Sequence, residues 1–195
     1  MNNSHVLKTE ANALLHRLCI FKILSRYGHA EATGSYLYNM MTWRDIDLCL
    51  TVPKLSVKKA FSIGTHLADL PGIATMYFRN ELVLKTKGNP QCVFWCLEFV
   101  TEKLETWKID ILISTSKVIK EVLRPGQELL SKLTDDNRRT IIELKAILCE
   151  DLEYRRSFRS TDIYEAVVNG NVNNIEQWEK WLKGKKPNKT NAADA

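Results

Sequence analysis

The sequence predicts an α+β fold: a mixed β-sheet core flanked by helices, followed by a C-terminal helical region. Three observations predict it. Up to about residue 115, helix-spaced apolar runs alternate with short β-branched or aliphatic runs. After Pro125-Gly126 only helix-type patterns remain. The chain has 195 residues, 45% apolar and 26% charged, enough to bury a full core without a disulfide or metal staple.

Residues 8–27 predict a helix from Leu14, Leu15, Leu18, Ile20, Phe21 and Leu24, with Gly28 as its C-cap. His29 to Thr33 is extended, and Gly34-Ser35 leads into a short helix over Tyr36 to Met41. Asp45 to Val52 predicts a strand ended by Pro53, and Ser56 to Leu70 a helix closed by Pro71-Gly72. Ile73 to Phe78 and Leu82 to Lys85 read as strands around a turn near Asn80. Gln91 to Val100 and Trp107 to Ser114 are strands joined as a hairpin. Helices are expected over Gln127 to Leu133, Asp135 to Tyr154, Thr161 to Asn169 and Asn173 to Leu182, the last capped by Asn173 with Glu176. The expected organisation is an α/β core over 1–115, a helical region over 116–183 and a disordered basic tail over 184–195.

The five cysteines, Cys19, Cys49, Cys92, Cys96 and Cys149, are odd in number and set in apolar contexts. They predict buried free thiols in a reducing compartment; Cys92 and Cys96 lack the further ligands of a zinc site. The Met-Asn-Asn-Ser start has no apolar signal core behind it, and Ala13 to Leu24 is interrupted by His16, Arg17 and Lys22. No membrane partner and a cytoplasmic location are expected. The net charge of +5 hints at an anionic partner, but residues 180–195 hold five lysines and one aspartate, leaving +1 for residues 1–179. Nucleic acid is therefore not indicated by charge.

The informative stretch is Trp43-Arg44-Asp45-Ile46-Asp47-Leu48-Cys49-Leu50. Strand side chains alternate, so Asp45 and Asp47 share one face and Ile46, Leu48 and Leu50 share the other. Adjacent carboxylates repel, and a hard divalent cation is the usual compensation. Asp110, in Lys108-Ile109-Asp110-Ile111-Leu112-Ile113, is a third acid in an apolar strand. If its strand neighbours the first, three carboxylates can hold two cations for in-line phosphoryl or nucleotidyl displacement. Gly34-Ser35 follows a short strand and opens a helix, where backbone amides and a hydroxyl can approach a phosphate.

Together, Gly34-Ser35, a nine-residue gap (Tyr36 to Arg44), Asp45-x-Asp47 and a later Asp110 resemble the nucleotidyltransferase superfamily with the polymerase-β-like core. The likeness is to its small stand-alone bacterial members, the antibiotic and minimal nucleotidyltransferases, and spans roughly residues 10–115. It implies that Asp45, Asp47 and Asp110 are catalytic metal ligands for Mg²⁺, with two ions expected, and that Gly34 and Ser35 grip the phosphates of an NTP such as ATP. Many relatives carry an Arg after the Gly-Ser or a basic residue before the acids; Arg44 matches the latter. The implied activity moves a nucleoside monophosphate to an acceptor hydroxyl or phosphate. The alternative is a catalytically inactive binding module of the same fold, acting as an antitoxin or regulatory partner.

Other candidates are weaker. No Gly-x4-Gly-Lys-Ser/Thr or Gly-x-Gly-x-x-Gly is present, which excludes P-loop and Rossmann sites. His5, His16, His29 and His66 show no ligand spacing. Glu98 is a possible general base, with a position facing away from the acids favoured. Trp43, Trp95 and Trp107 fit sheet packing, and Arg138, Arg139, Arg155, Arg156 and Arg159 a mixed-charge surface.

Overall fold

A computed structural model describes residues 3–185. The chain divides into two units, one ending at Gly126 and one beginning at Gln127. The expected tail lies outside the described residues from position 186 onward.

In the first unit, α1 (Asn3–Arg17) and α2 (Ile20–Ser25) precede β1 (His29–Thr33), the single turn α3 (Gly34–Leu37) and β2 (Asp45–Thr51). Then come α4 (Val57–Ala68), β3 (Ile73–Asn80), the turn α5 (Glu81–Leu84), β4 (Val93–Val100) and β5 (Thr106–Ser114). The five strands form one mixed sheet in the order β1-β2-β5-β4-β3. β2 and β5 run parallel, and the other pairings are antiparallel. The predicted β4–β5 hairpin forms, with Cys96 opposite Asp110.

Alternation along these strands gives the sheet two different faces. Ile46, Leu48, Leu50, Ile109, Ile111, Ile113, Leu97, Trp95 and Phe99 enter one core with Leu14, Leu18, Leu24, Ile63 and Leu67 of the helices. Trp107 lies in that core, and Trp95 Nε1 donates to the Ala60 carbonyl at 2.8 Å, so both pack the sheet as expected. The opposite face carries Thr33, Asp45, Asp47, Lys108, Asp110, Cys96 and Glu98. At one end of that face, Ile119 and Leu123 of α6 (Ser116–Lys132) pack on Cys49.

Several elements differ from the sequence expectation. The first helix breaks at Cys19, which adopts φ 48°, so Ile20 and Leu24 can turn into the core. The short helix starts at Gly34 rather than Tyr36. Residues 81–84 form a helical turn, not a strand, because the Asn80 side chain accepts from the Leu82 amide at 3.1 Å and buried Glu81 gathers Arg79, Thr86 and Asn89 around it. Pro125 does not break the chain's helix: α6 runs through it, at the cost of one backbone donor. Gly126 is needed there, because a Cβ would overlap the Tyr38 hydroxyl. The unit division nevertheless falls at this dipeptide.

The second unit contains α7 (Asp135–Leu148), α8 (Ser160–Gly170) and α9 (Ile175–Gly184). α7 ends six residues before the expected Tyr154, giving way to turns in which Arg155 has φ 69°. α9 is capped by Asn174, one residue later than expected, its side chain accepting from Gln177 N at 3.0 Å. Phe158 and Trp178, both buried, meet with ring centroids 5.1 Å apart. Arg138 and Arg139 pair with Asp135 and Asp136, as a mixed-charge surface requires. The cysteines are all free, but Cys19 and Cys149 are exposed rather than buried.

Candidate active site

The parallel pairing of β2 with β5 sets Asp47 directly opposite Asp110 and Asp45 opposite Lys108. The three acids thereby meet: one ligand oxygen from each of Asp45, Asp47 and Asp110 lies within 4.8 Å of the others. Each is half-buried, so the repulsion among them is only partly screened. Asp110 Oδ1 is buried and makes no hydrogen bond. A buried carboxylate oxygen without a partner is costly, and a hard cation satisfies it. The donor set and this orphaned oxygen fit a divalent metal such as Mg²⁺.

Gly34 and Ser35 reach the same place from the other side. β1 ends at Thr33, opposite Asp47 in the ladder. Gly34 then turns the chain at φ 64°, and a Cβ there would overlap Asp47 Oδ2. This glycine is required twice, for its positive φ and for the close approach of backbone to carboxylate. The turn is held from below by α1: Lys8 Nζ donates to the Tyr36 carbonyl at 2.5 Å, and the Tyr36 hydroxyl donates to Asn12 Oδ1 at 2.8 Å. Ser4 Oγ donates to the Asn39 carbonyl at 3.3 Å.

Arg44, expected among the phosphate contacts, is engaged elsewhere. Its Nη2 lies 2.6 Å from Glu105 Oε1 and 3.1 Å from Glu10 Oε2, tying the start of β2 to α1 and the β4–β5 loop. Glu98 faces the same side of the sheet as the acids, one row along from Asp110, and not away from them as favoured. It is exposed and accepts from Thr75 Oγ1 at 2.9 Å.

Lys108 and Cys96 border the acids; the sequence did not single out Lys108, and it offered Cys96 only as a zinc partner of Cys92. Lys108 Nζ lies 2.6 Å from Asp110 Oδ2. Burial alone would lower the pKa of its ammonium group; the hydrogen bond to Asp110 and the charges of Asp45 and Asp110 outweigh burial and raise it. Burial first, then the charge and hydrogen bond of Asp110, push the Cys96 thiol up to about 12, so it stays protonated beside the acids. The signal for Lys108 was present in the sequence: it precedes Asp110 by two residues and shares its face.

No protein-family model and no curated protein sequence matches the chain. Solved structures do. A structure of the Cid1 poly(U) polymerase bound to MgATP superposes with a TM-score of 0.62 at 17% identity, over 87% of this chain and 52% of that one. Another Cid1 poly(U) polymerase structure gives 0.58 at 16% identity, over 88% and 50%. A cytoplasmic RNA terminal U-transferase gives 0.55 at 18% identity, over 83% and 44%. The chain thus spans about half the length of the solved structures it matches.

Proposed function

We propose that this chain, which has the nucleotidyltransferase fold, is a metal-dependent nucleotidyltransferase that transfers a nucleoside monophosphate from an NTP to an acceptor hydroxyl or phosphate. The observation that carries the reading is the meeting of Asp45, Asp47 and Asp110 on the open face of the sheet, with Gly34 seated against Asp47. These residues suit phosphate chemistry, and gathering three half-buried acids costs stability through their mutual repulsion.

In this reading Asp45, Asp47 and Asp110 hold two Mg²⁺ ions. When bound, the metal supplies a lowered pKa for the acceptor hydroxyl and charge neutralisation at the leaving pyrophosphate. The chain's own residues do the rest. The Gly34 backbone and the Ser35 hydroxyl bind the triphosphate and aim its α-phosphorus along the acid face. Arg44 braces the start of β2 through Glu10 and Glu105. The solved structures of similar fold include a poly(U) polymerase and an RNA terminal U-transferase, which makes UTP with an RNA end the first donor–acceptor pair to assay, alongside ATP. The reducing cytoplasm suits the free thiols.

The test is Asp45→Asn combined with Asp47→Asn. Removing two of three metal ligands is expected to cut nucleotide turnover about a thousandfold or more and to abolish Mg²⁺-dependent thermal stabilisation by NTPs. Turnover that survives the pair of changes overturns the mechanism. A wild-type chain that shows no Mg²⁺-dependent shift at millimolar NTP is the non-catalytic binding module instead.

A further inference from the structure

Among the described residues, the acid cluster holds a cation of its own, Lys108. The geometry points to Lys108 as the positioning residue that fixes Asp110 for metal binding, an inference that rests on reading the cluster as a metal site.

Lys108 and Asp110 stand two residues apart on β5, so both side chains rise from the same face. The ammonium bonds only one of the two Asp110 oxygens, Oδ2, at 2.6 Å. The other, Oδ1, is buried and has no hydrogen bond. This asymmetry carries the inference. The terminal torsion of an aspartate is broad and roughly two-fold, so a ligand carboxylate needs a second contact to hold its plane. Metal-ligating carboxylates are commonly held in this way by an outer partner. Lys108 supplies such a contact at Oδ2 and leaves Oδ1 without one.

The surroundings fix Lys108 as well. Across the ladder it lies opposite Asp45 on one side and Glu98 on the other. Thr75 donates to Glu98 at 2.9 Å, which holds that acid in the row. Asp110 is 24% exposed and Lys108 41%, so the pair is screened less than a surface ion pair. One positive charge also offsets one of the three negative charges. A lysine acting as a stand-in for the metal would have to leave when metal arrives; one bonded to Oδ2 alone can stay while Oδ1 takes the metal.

The two roles predict opposite signs for Lys108→Met. As a positioning residue, its loss weakens binding of Mn²⁺ to the nucleotide-free full-length chain, measured by electron paramagnetic resonance of the free ion, by about tenfold. Lys108→Arg, which keeps a charged donor, restores most of that loss. Unchanged or tighter Mn²⁺ binding in the Met variant overturns the proposal. Circular dichroism checks that the variant folds. If it does not, nitrogen-15 NMR of the wild-type lysine ammonium groups decides. A Lys108 signal that stays protected from exchange at saturating Mg²⁺ supports the positioning role; a signal that becomes like that of exposed lysines overturns it. The Asp45→Asn, Asp47→Asn chain is the reference. If wild type binds Mn²⁺ no better than this reference, the metal reading itself falls, and the assignment of Lys108 with it.

Discussion

Single residues decide whether the acids can work as a unit. Gly34 is the most exposed to test, because its φ of 64° and its contact with Asp47 make separate demands. Gly34→Ala meets a backbone cost of about 1–2 kcal/mol and must also displace Asp47 Oδ2. It is expected to lower the melting temperature and to weaken Mn²⁺ binding at least tenfold. Gly88→Ala is the control: its φ of 88° carries the same backbone cost, but nothing lies within 4 Å of the added Cβ. That variant should lower the melting temperature and leave Mn²⁺ affinity unchanged. Calorimetric melting and Mn²⁺ titration of both chains separate strain from displacement. At this scale the sequence was readable where a residue's type is unusual for its place: acids in apolar strands, glycine before a turn. It was not readable for Arg44, whose partners Glu10 and Glu105 are remote in sequence. The same holds for Cys96, which meets Asp110 only through the hairpin register.

At the scale of elements, the connection from β3 to β4 is built around one buried charge. Glu81 is fully buried; Arg79 Nε reaches Oε1 at 2.5 Å, Asn89 Nδ2 at 2.9 Å, and the Thr86 amide reaches Oε2 at 3.1 Å. Burial pushes its pKa up, but those hydrogen bonds together outweigh burial and hold it down at about 2. A depressed carboxylate stabilises the fold above its unfolded value of 4.5, and that contribution is lost as pH falls towards 2. Glu81→Leu is expected to cost about 3 kcal/mol at pH 7, since it takes the carboxylate away from the Arg79 guanidinium, the Asn89 side-chain amide, and the amide and hydroxyl of Thr86. The gap between wild type and variant should narrow at pH 3; urea unfolding at the two pH values checks it. Sequence reading made residues 82–85 a strand because Leu82, Val83 and Leu84 look strand-like. A carboxylate four partners deep overrides that local preference. Pro125 misled for the opposite reason. Its local rule is to stop a helix, but Ile119 and Leu123 commit α6 to the first unit before the proline is reached.

Over the whole molecule, the sheet separates stability from chemistry by its two faces. Ile111 lies at the centre of β5, wholly buried, between Leu48 and Trp95 across the ladder, while Asp110 beside it rises from the other face. Ile111→Ala should cost about 2–5 kcal/mol with an unchanged denaturant slope, yet keep Mn²⁺ affinity wherever the chain is folded. Urea unfolding and Mn²⁺ titration of the same preparation test that separation. Charge is similarly partitioned. Residues 180–195 carry +4 of the net +5, but Lys185 is not part of a loose tail: its Nζ lies 2.7 Å from Asp162 Oδ1 and 2.6 Å from Glu165 Oε2. No described helix is long and apolar enough to cross a membrane. By itself, the sequence determined the α+β class, the strands that bear the acids and the face that Asp45 and Asp47 share, because alternation and apolar content are local properties of the chain. Tertiary structure alone decided that β5 lies parallel beside β2, which puts Asp110 opposite Asp47, and that Lys108 pairs with Asp110 while Arg44 pairs with Glu10 and Glu105. Strand order and register depend on which apolar faces can be buried together over long separations, and no local pattern encodes that choice.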